Sequence, residues 1–155
     1  WCKHSNFETS VHSPLLLRVP GQANRGGRTA ALTEFVDVYP TLCEACGLPA
    51  PPHLEGTSLL PLLDQPQRPW KRAAFSQYPR GQVMGYSTRT ARYRYTRWQE
   101  RQGGKLVAAE LYDHDQDPGE NVNLAERPEL AATVQELTAI HEAGWRGARP
   151  PAGRV

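Results

Sequence analysis

The spacing of apolar residues predicts first a strand and then a helix. Residues 13–21 form a short apolar run that is bracketed by prolines and ended by a glycine, which is typical of a buried strand. Further on, apolar residues recur every three or four positions, at Leu32, Phe35, Val36, Tyr39, Leu42, Cys43 and Cys46. This spacing predicts a helix whose apolar stripe docks on the sheet. We expect Thr33 to cap this helix, Pro40 to kink or restart it, and Gly47 to end it.

From residue 70 onward the period changes to two, which predicts an antiparallel sheet with one face in water. The predicted elements are strands at 73–78, 84–99 and 106–112 and a hairpin turn at 102–105. In the long strand, Tyr93 and Tyr95 alternate with arginines. We therefore expect these tyrosines to face a core, and Arg92 and Arg94 to face solvent.

A polar turn and an amphipathic helix follow the last predicted strand. The turn, residues 113–120, is built around an Asp-Pro pair. Pro128 suits the first position of a helix, because its missing N–H would have no partner there. The apolar stripe of this helix comprises Leu130, Val134, Leu137 and His141, and it can cover the sheet. The tail from Gly147 is rich in Gly, Pro and Arg, and we predict that it is disordered.

The composition indicates a folded domain and gives no sign of a membrane span. Of 155 residues, 39% are hydrophobic and 22% are charged, and no apolar run approaches the ~20 residues that a membrane-spanning helix needs. Four Trp, six Tyr and three Phe provide bulk for a core. The 13 Gly and 14 Pro indicate many turns, which excludes a long uniform helical bundle. Because the first residue is Trp1 and not Met, we expect a cut or processed chain whose targeting segment and compartment are unknown.

Arginines concentrate in one stretch of a chain whose net charge is only +2. They stand at positions 80, 89, 92, 94, 97 and 101. Two interpretations are open. The arginines could form the solvated face of an antiparallel strand, or they could bind a polyanion such as nucleic acid or a sulfated sugar. In the second case the chain would be a non-enzymatic module with strongly salt-sensitive affinity for heparin or DNA.

Two further groups of residues have the chemistry of metal ligands, and for both we favour a structural role. Cys43 and Cys46 have the C-x-x-C spacing of redox and zinc sites, but no second C-x-x-C accompanies them. We expect them to be small buried residues on the predicted helix. His114 stands among Asp113, Asp115 and Asp117, but their spacing is not that of an EF-hand loop. We predict no metal ligand in this chain.

Several segments, in one order, resemble the C-terminal part of the type I sulfatases. They are WCKHSNF at 1–7, HSPL at 12–15, VPG at 19–21, FVDVYPTLCEACGL at 35–48, GTSLLPLL at 56–63, ELYD at 110–113 and DPGENVNL at 117–124. SQYPR at 76–80 and MGYSTRTARYRYTRW at 84–98 are particularly similar to the iduronate-2-sulfatase branch of that family. The resemblance covers most of the chain and implies an α/β fold of the alkaline-phosphatase-like type. It implies the end of the catalytic domain at 1–66, a small antiparallel-sheet subdomain with a packed helix at 70–146, and a disordered tail at 147–155.

The same resemblance implies roles for three residues. In the family, the lysine that matches Lys3 holds the sulfate group, so Lys3 is the expected catalytic residue. His4 is expected to contact the leaving oxygen or the sugar. Arg80 is expected to pair with a uronate carboxylate. The full-length enzyme would then hydrolyse sulfate esters of acidic sugars.

Two family features are missing from this chain. The Cys/Ser-x-Pro-x-Arg sequence, whose first residue becomes formylglycine, does not occur in it, and neither do the acidic residues that hold calcium. We expect the formylglycine and the calcium in an N-terminal part, and we expect the isolated chain to be inactive. The expected partners are the remainder of the sulfatase domain and a sulfated sugar, with no nucleic acid and no membrane.

Overall fold

A computed structural model describes residues 3–151, which form two compact units. The sheet unit comprises residues 3–14 and 73–148, and the helical unit comprises residues 15–72 and 149–151. The helices of the sheet unit are α1 (Glu8–Val11), a 3-10 turn (Pro128–Leu130) and α4 (Ala131–Gly147). Its strands are β1 (Ala74–Arg80), β2 (Val83–Arg89), β3 (Tyr93–Glu100) and β4 (Leu106–Asp113). The helical unit contains a 3-10 turn (Phe35–Asp37), α2 (Val38–Ala45) and α3 (Leu60–Asp64).

The four strands form one antiparallel sheet in the order β1-β2-β3-β4. The prediction of a single long strand at 84–99 is wrong, because a tight turn divides this segment into β2 and β3. The Thr90 N–H donates to the Tyr93 carbonyl at 2.8 Å, and the Tyr93 N–H donates to Thr90 Oγ1 at 3.0 Å. These two bonds close the turn. The hairpin predicted at 102–105 is confirmed, with Gly103 at φ 82° and Gly104 at φ 67°, which glycine adopts without steric cost.

One face of the sheet packs on α4, as the pattern predicts. Tyr95, Leu111 and Leu137 form the buried cluster of this face, and Leu130, Val134 and Ile140 pack around it. On the same face, Thr88 Oγ1 lies 2.8 Å from His141 Nδ1. The predicted stripe of the last helix and the inward direction of Tyr95 are therefore confirmed.

The opposite face of the sheet is not the wet surface that the alternation predicted. Arg94 points to this face, as its parity requires, but it is only 2% exposed. The reason is that residues 4–8 lie against this face, where Asn6, Phe7 and Glu8 contact the strands. Arg92 lies in the turn before β3 and is exposed. The expectation of a solvated arginine face was wrong at Arg94 and correct at Arg92.

The apolar run at 13–21 does not form the predicted strand. Residues 12–19 have no regular secondary structure, and Leu15 and Leu16 are 44% and 88% exposed. A strand needs a neighbouring strand for its backbone hydrogen bonds. Among the described residues the only sheet is β1–β4, and it has no pairing with this run.

In the helical unit, the predicted helix forms but starts later and buries a different face. Glu34, and not Thr33, caps the 3-10 turn that leads into α2, since the Glu34 N–H donates to Asp37 Oδ2 at 2.9 Å in a capping box. Pro40 lies in the first turn of α2, where a backbone N–H would have no intrahelical acceptor, so the proline breaks no helical hydrogen bond. Gly47, at φ 65°, ends the helix as predicted.

The apolar stripe of α2 faces outward. The exposed fractions are 77% for Phe35, 56% for Val36, 54% for Tyr39 and 51% for Leu42. The buried face instead carries Asp37 and Thr41, and the Lys71 ammonium lies 2.7 Å from Asp37 Oδ1. Within residues 3–151 this stripe is therefore exposed, and its expected docking on a sheet stays a prediction. Of the two cysteines, Cys43 is buried as expected, but Cys46 is exposed and both are free.

The chain end differs from the predicted disordered tail where it can be described. α4 still includes Gly147, and Ala148 is 2% exposed, while residues 152–155 lie outside the described part. Within residues 3–151, no helix has the length and apolarity needed to cross a membrane. The domain boundaries expected from the sequence stay a prediction.

Candidate functional site

Residues 3–8 are held on the sheet by a side chain that enters it. Asn6 is 4% exposed, and its Nδ2 donates to the Gly85 carbonyl at 2.9 Å. Ser76 Oγ donates to Asn6 Oδ1 at 3.1 Å. Asn6 therefore uses both ends of its amide on two adjacent strands. One residue later, the Phe7 ring meets the Tyr112 ring edge to face, with 5.8 Å between centroids.

This anchoring brings His4 and β1 together. The His4 ring lies 5.8 Å from the Tyr78 ring, at an angle of 40°. Arg80 stands two residues after Tyr78 and therefore on the same face of β1. Lys3 and His4 are both exposed, and within residues 3–151 Lys3 forms no ion pair. The Lys3 ammonium is thus available to an external anion.

Arg80 is supported by an aromatic ring in the middle of the sheet. Its guanidinium carbon lies 5.3 Å from the centroid of the Trp98 ring, at cation–π distance. Trp98 lies across Gly85, where an added Cβ would come within 2.8 Å of the indole. The absence of a side chain at Gly85 is therefore what allows Trp98 to lie flat against β2. Arg80 itself is exposed, so its N–H groups can reach a ligand.

The same face of the sheet carries a charge cluster, which we call the Arg94 cluster: Glu8, Arg89, Arg94, His114 and Glu120, of which Arg94 and Glu120 are buried. Arg94 Nε donates to Glu120 Oε1 at 2.5 Å, and Arg94 Nη2 donates to Glu8 Oε2. The second oxygen of Glu120 accepts the backbone N–H of Glu8 at 2.7 Å. Arg89 Nε adds a 3.3 Å contact to Glu8, and His114 Nε2 lies 2.8 Å from Glu120. Two carboxylates thus face two guanidinium groups.

The turn after β4 presents Glu120 to the cluster. Glu120 has φ 55°, in the left-handed region that side chains other than glycine seldom adopt. Such a conformation costs of order 1 kcal/mol or more and persists where surrounding contacts hold the residue in place. Here the contacts to Arg94 and to the Glu8 N–H do so.

The pKa of Glu8 reflects two opposing effects in the cluster, burial and nearby positive charge. Burial opposes ionisation of the carboxyl, but the Arg94 and Arg89 guanidinium groups outweigh it, so that the pKa of Glu8 is lowered. On the adjoining turn, hydrogen bonds from Arg92 hold the pKa of Asp113 below its usual range, against the opposing effect of burial. Both carboxylates are therefore ionised at neutral pH.

Glu8, His114 and Glu120 also bring three potential metal ligands within 4.8 Å of one another. They do not fit a calcium ion, which requires six to eight oxygen ligands. The oxygens of Glu8 and Glu120 already accept bonds from Arg94, so a dication would have to lie beside a guanidinium. In the adjoining turn, Asp117 accepts the N–H groups of residues 121 and 122. The described residues therefore offer no fitting calcium site.

The arginine stretch is largely neutralised within the chain. Arg92 pairs with Asp113 and Asp115, and Arg97 pairs with Glu142 on the α4 side of the sheet. Arg89 and Arg94 belong to the Arg94 cluster. A polyanion would have to displace these acids, so the structure gives no support to the binding-module interpretation.

Sequence reasoning missed the residues that hold the site together. Neither Asn6 nor Glu8 carries a local signal, because each acts on strands about 80 positions away. Local pattern places Arg94 in an alternating strand and Glu120 in a polar turn, and neither pattern indicates that the two side chains meet. The contact between His4 and Tyr78 likewise depends on chain folding. The structure brings His4 and Arg80 to one face of the sheet, as the expected substrate-binding roles require, and those roles stay a prediction.

Comparison with known proteins identifies the family. The model of the family described as "N-sulphoglucosamine sulphohydrolase, C-terminal" matches residues 1–143. Arylsulfatase K of Rattus norvegicus is 34% identical over 151 residues, which cover 89% of this chain and 26% of the relative. Iduronate 2-sulfatase of Mus musculus is 30% identical over 191 residues, which cover 80% of this chain and 35% of the relative. The chain spans only about a quarter to a third of the length of these relatives.

Solved structures show the same fold. A putative sulfatase from Bacteroides thetaiotaomicron VPI-5482 superposes with a TM-score of 0.57 at 29% identity, over 76% of this chain and 27% of that one. Phosphonate monoester hydrolase of Agrobacterium radiobacter gives 0.58 at 26% identity, over 71% and 24%. A protein solved with its substrate D-glucosamine-2-N,6-O-disulfate gives 0.63 at 24% identity, over 72% and 24%, and shows the fold alone.

These neighbours confirm the expected alkaline-phosphatase-like fold class, to which the described residues contribute a four-stranded antiparallel sheet and its C-terminal helix. The family as a whole is one of sulfatases, which generally use a formylglycine and a metal ion in their N-terminal catalytic region. With a family match over residues 1–143, the chain belongs to the C-terminal family of the N-sulphoglucosamine sulphohydrolases, and it is a C-terminal sulfatase region.

Proposed function

We propose that this chain is the C-terminal part of a sulfatase that hydrolyses sulfate esters of acidic sugars, and that Lys3, His4 and Arg80 line its substrate site. The observation that carries the proposal is the placement of His4 against Tyr78, on the strand face that also bears Arg80. A segment near residue 3 and the end of β1 are thereby joined into one surface. Chain folding unites residues that are separated by more than 70 positions.

Lys3 supplies a positive charge for the sulfate group. Cleavage of a sulfate ester moves negative charge onto the sulfate and leaving oxygens. An ammonium that is fixed near them stabilises this charge without changing its own protonation state. Loss of one such preorganised contact typically lowers a rate constant by about 10²–10³-fold. His4, which stands beside Lys3 and against Tyr78, is placed to contact the leaving oxygen or the sugar ring.

Arg80 supplies selectivity for a carboxylate. A guanidinium presents parallel N–H groups that match the two oxygens of a uronate. The Trp98 ring restricts the guanidinium from one side. This restriction lowers the entropy that would be lost when the carboxylate binds.

The formylglycine and the calcium would lie outside this chain. The formylglycine, a modified residue, would supply the nucleophile for sulfate-ester cleavage, and a bound calcium would supply electrophilic assistance. Since the described residues contain no fitting calcium site, we propose that the isolated 155-residue chain does not hydrolyse sulfate esters. The residues of this chain bind, orient and neutralise charge.

The test compares two substrates in the full-length sulfatase that contains this chain, a sulfated uronate and a sulfated glucosamine. Arg80→Ala should raise KM for the uronate at least tenfold and change KM for the glucosamine little. Lys3→Ala should lower kcat at least tenfold on whichever substrate is cleaved, and Lys3→Arg should not fully restore it, because a planar fork does not replace a point charge.

The matched control is Arg101→Ala, an exposed arginine in the hairpin after β3 that the proposal leaves out of the site. It should leave both constants unchanged. A Lys3→Ala enzyme with normal turnover removes Lys3 from the site. Equal effects of Arg80→Ala on both substrates remove the proposed contact with a carboxylate.

A further inference from the structure

The Arg94 cluster joins the segment that carries Lys3 to the central strand of the sheet. Arg94 lies on β3, and Glu8 is the first residue of α1, five positions after Lys3. Arg94 Nη2 donates to Glu8, and Arg94 Nε donates to Glu120, which in turn accepts the backbone N–H of Glu8. Glu8 is thus held through its side chain and its backbone, by two residues that are themselves bonded to each other.

The segment has few other attachments of comparable strength. α1 has only four residues and no side-chain cap, so it is too short to be stable without tertiary contacts. None of its residues is buried. Apart from the Arg94 cluster, the attachments are the amide of Asn6, the edge-to-face contact of Phe7 and the contact of the His4 ring with Tyr78. The bond between Arg94 and Glu8 is charge-assisted, and such bonds are roughly twice as strong as those between neutral groups.

A third side chain, Ser87, also contacts the Arg94 guanidinium. Its Nη1 points to Ser87 Oγ at 3.4 Å, and Thr96 Oγ1 donates to the same oxygen at 2.9 Å. Ser87 and Thr96 are 1% exposed and pair directly across β2 and β3. The contact with Ser87 thus helps to direct the two charged contacts of the guanidinium toward Glu8 and Glu120.

We infer that Arg94 is a positioning residue: through Glu8 and Glu120 it holds residues 3–8 on the sheet and thereby sets the location of Lys3 and His4 in the substrate site. The catalytic consequence rests on the proposed function, whereas the attachment of the segment does not. A loosened segment would leave Lys3 misplaced for part of the time. Because Lys3 acts on charge that develops during the reaction, kcat should fall more than KM rises.

The experiment uses Glu8→Gln in the full-length sulfatase, because this change removes the charge that faces Arg94 and Arg89 but keeps the shape. The matched control is Glu142→Gln, which removes the acid that pairs with Arg97 of the same strand on the opposite face. Hydrogen exchange is read at Ser10, Val11 and His12, whose N–H groups bond within α1, and at the paired amides of β3. Kinetics on a sulfated uronate are measured alongside.

In Glu8→Gln, the three α1 amides should exchange at least tenfold faster while the β3 amides are unchanged, and kcat should fall at least fivefold with KM changed less than twofold. Glu142→Gln should do neither. Unchanged exchange at α1 overturns the attachment. Faster exchange with normal kcat overturns the positioning role. In that last case Lys3→Ala separates the two proposals: an inactive Lys3→Ala leaves the proposed function standing, and an active one overturns it as well.

Discussion

Arg94 Nε donates to Glu120 Oε1 at 2.5 Å, and both side chains are only 2% exposed. This pair lies on the sheet face that a strand pattern of alternating tyrosine and arginine assigns to water. Removal of one partner from a buried ion pair leaves an uncompensated charge, whereas removal of an exposed partner leaves a group that water can solvate.

Arg94→Leu should therefore destabilise the chain by about 3–5 kcal/mol, the usual cost of breaking a buried pair. Arg92→Ala should lower the free energy of unfolding less, because the Arg92 side chain is 47% exposed and Asp113 keeps the hydrogen bond from the Asp115 backbone N–H. Urea unfolding of the two variants gives the order. Equal midpoints would mean that the Arg94 pair opens to solvent.

Tyr95 should be a large contributor to the helix-side core. It is 3% exposed and packs with Leu111 and Leu137. Tyr95→Ala should cost about 2–4 kcal/mol in urea unfolding, as large-to-small core changes do. Tyr95→Phe is the control, since it removes only the hydroxyl that lies 3.2 Å from Thr138 Oγ1, and it should cost about 0.5–1.5 kcal/mol. A larger loss from Tyr95→Phe than from Tyr95→Ala would contradict the packing argument.

Gly85→Ala should displace Trp98. The new Cβ would come within 2.8 Å of the indole, and overpacking of this kind costs about 1–3 kcal/mol. The cost should shrink when Trp98 is replaced by phenylalanine, because the smaller ring vacates the space. A double-mutant cycle of Gly85→Ala and Trp98→Phe in urea measures this coupling. Strictly additive effects would show that the indole does not restrict position 85.

Stability should fall as the pH drops below neutrality, with a contribution from His141. Burial, with a smaller effect from Arg97, lowers the pKa of His141 below its usual value near 6.5. The folded state therefore favours the neutral ring. This stability is fully present above about pH 6.5, the unfolded value, and is lost as the pH falls through the lower folded pKa.

His141→Gln should reduce the loss of unfolding free energy between pH 7.5 and pH 5, measured by urea unfolding at each pH. The substitution also lowers the free energy of unfolding by a constant amount, because packing against Tyr86 and Tyr95 is lost, and this amount does not depend on pH. Identical pH slopes in the parent and the variant would show that His141 is not the group responsible.

Much of the sheet unit follows from local pattern. The alternation around Tyr95, the glycines of the 102–105 turn and the stripe of α4 each act within a few residues, and the structure has these elements close to where the sequence places them. The motifs at residues 1–7 and 76–98 were also sufficient to indicate the sulfatase family. Each of these signals is local in the chain.

Tertiary structure alone decided which surfaces are covered. Alternation puts Arg94 on one face of β3, but whether that face meets water depends on Glu8 and Asn6, which come from a distant segment. The same holds for the run at 13–21, because an apolar segment becomes a strand only when a neighbouring strand accepts its backbone hydrogen bonds. Hydrophobic period fixes the direction of a side chain, whereas burial and pairing are set by whatever the rest of the chain places against it.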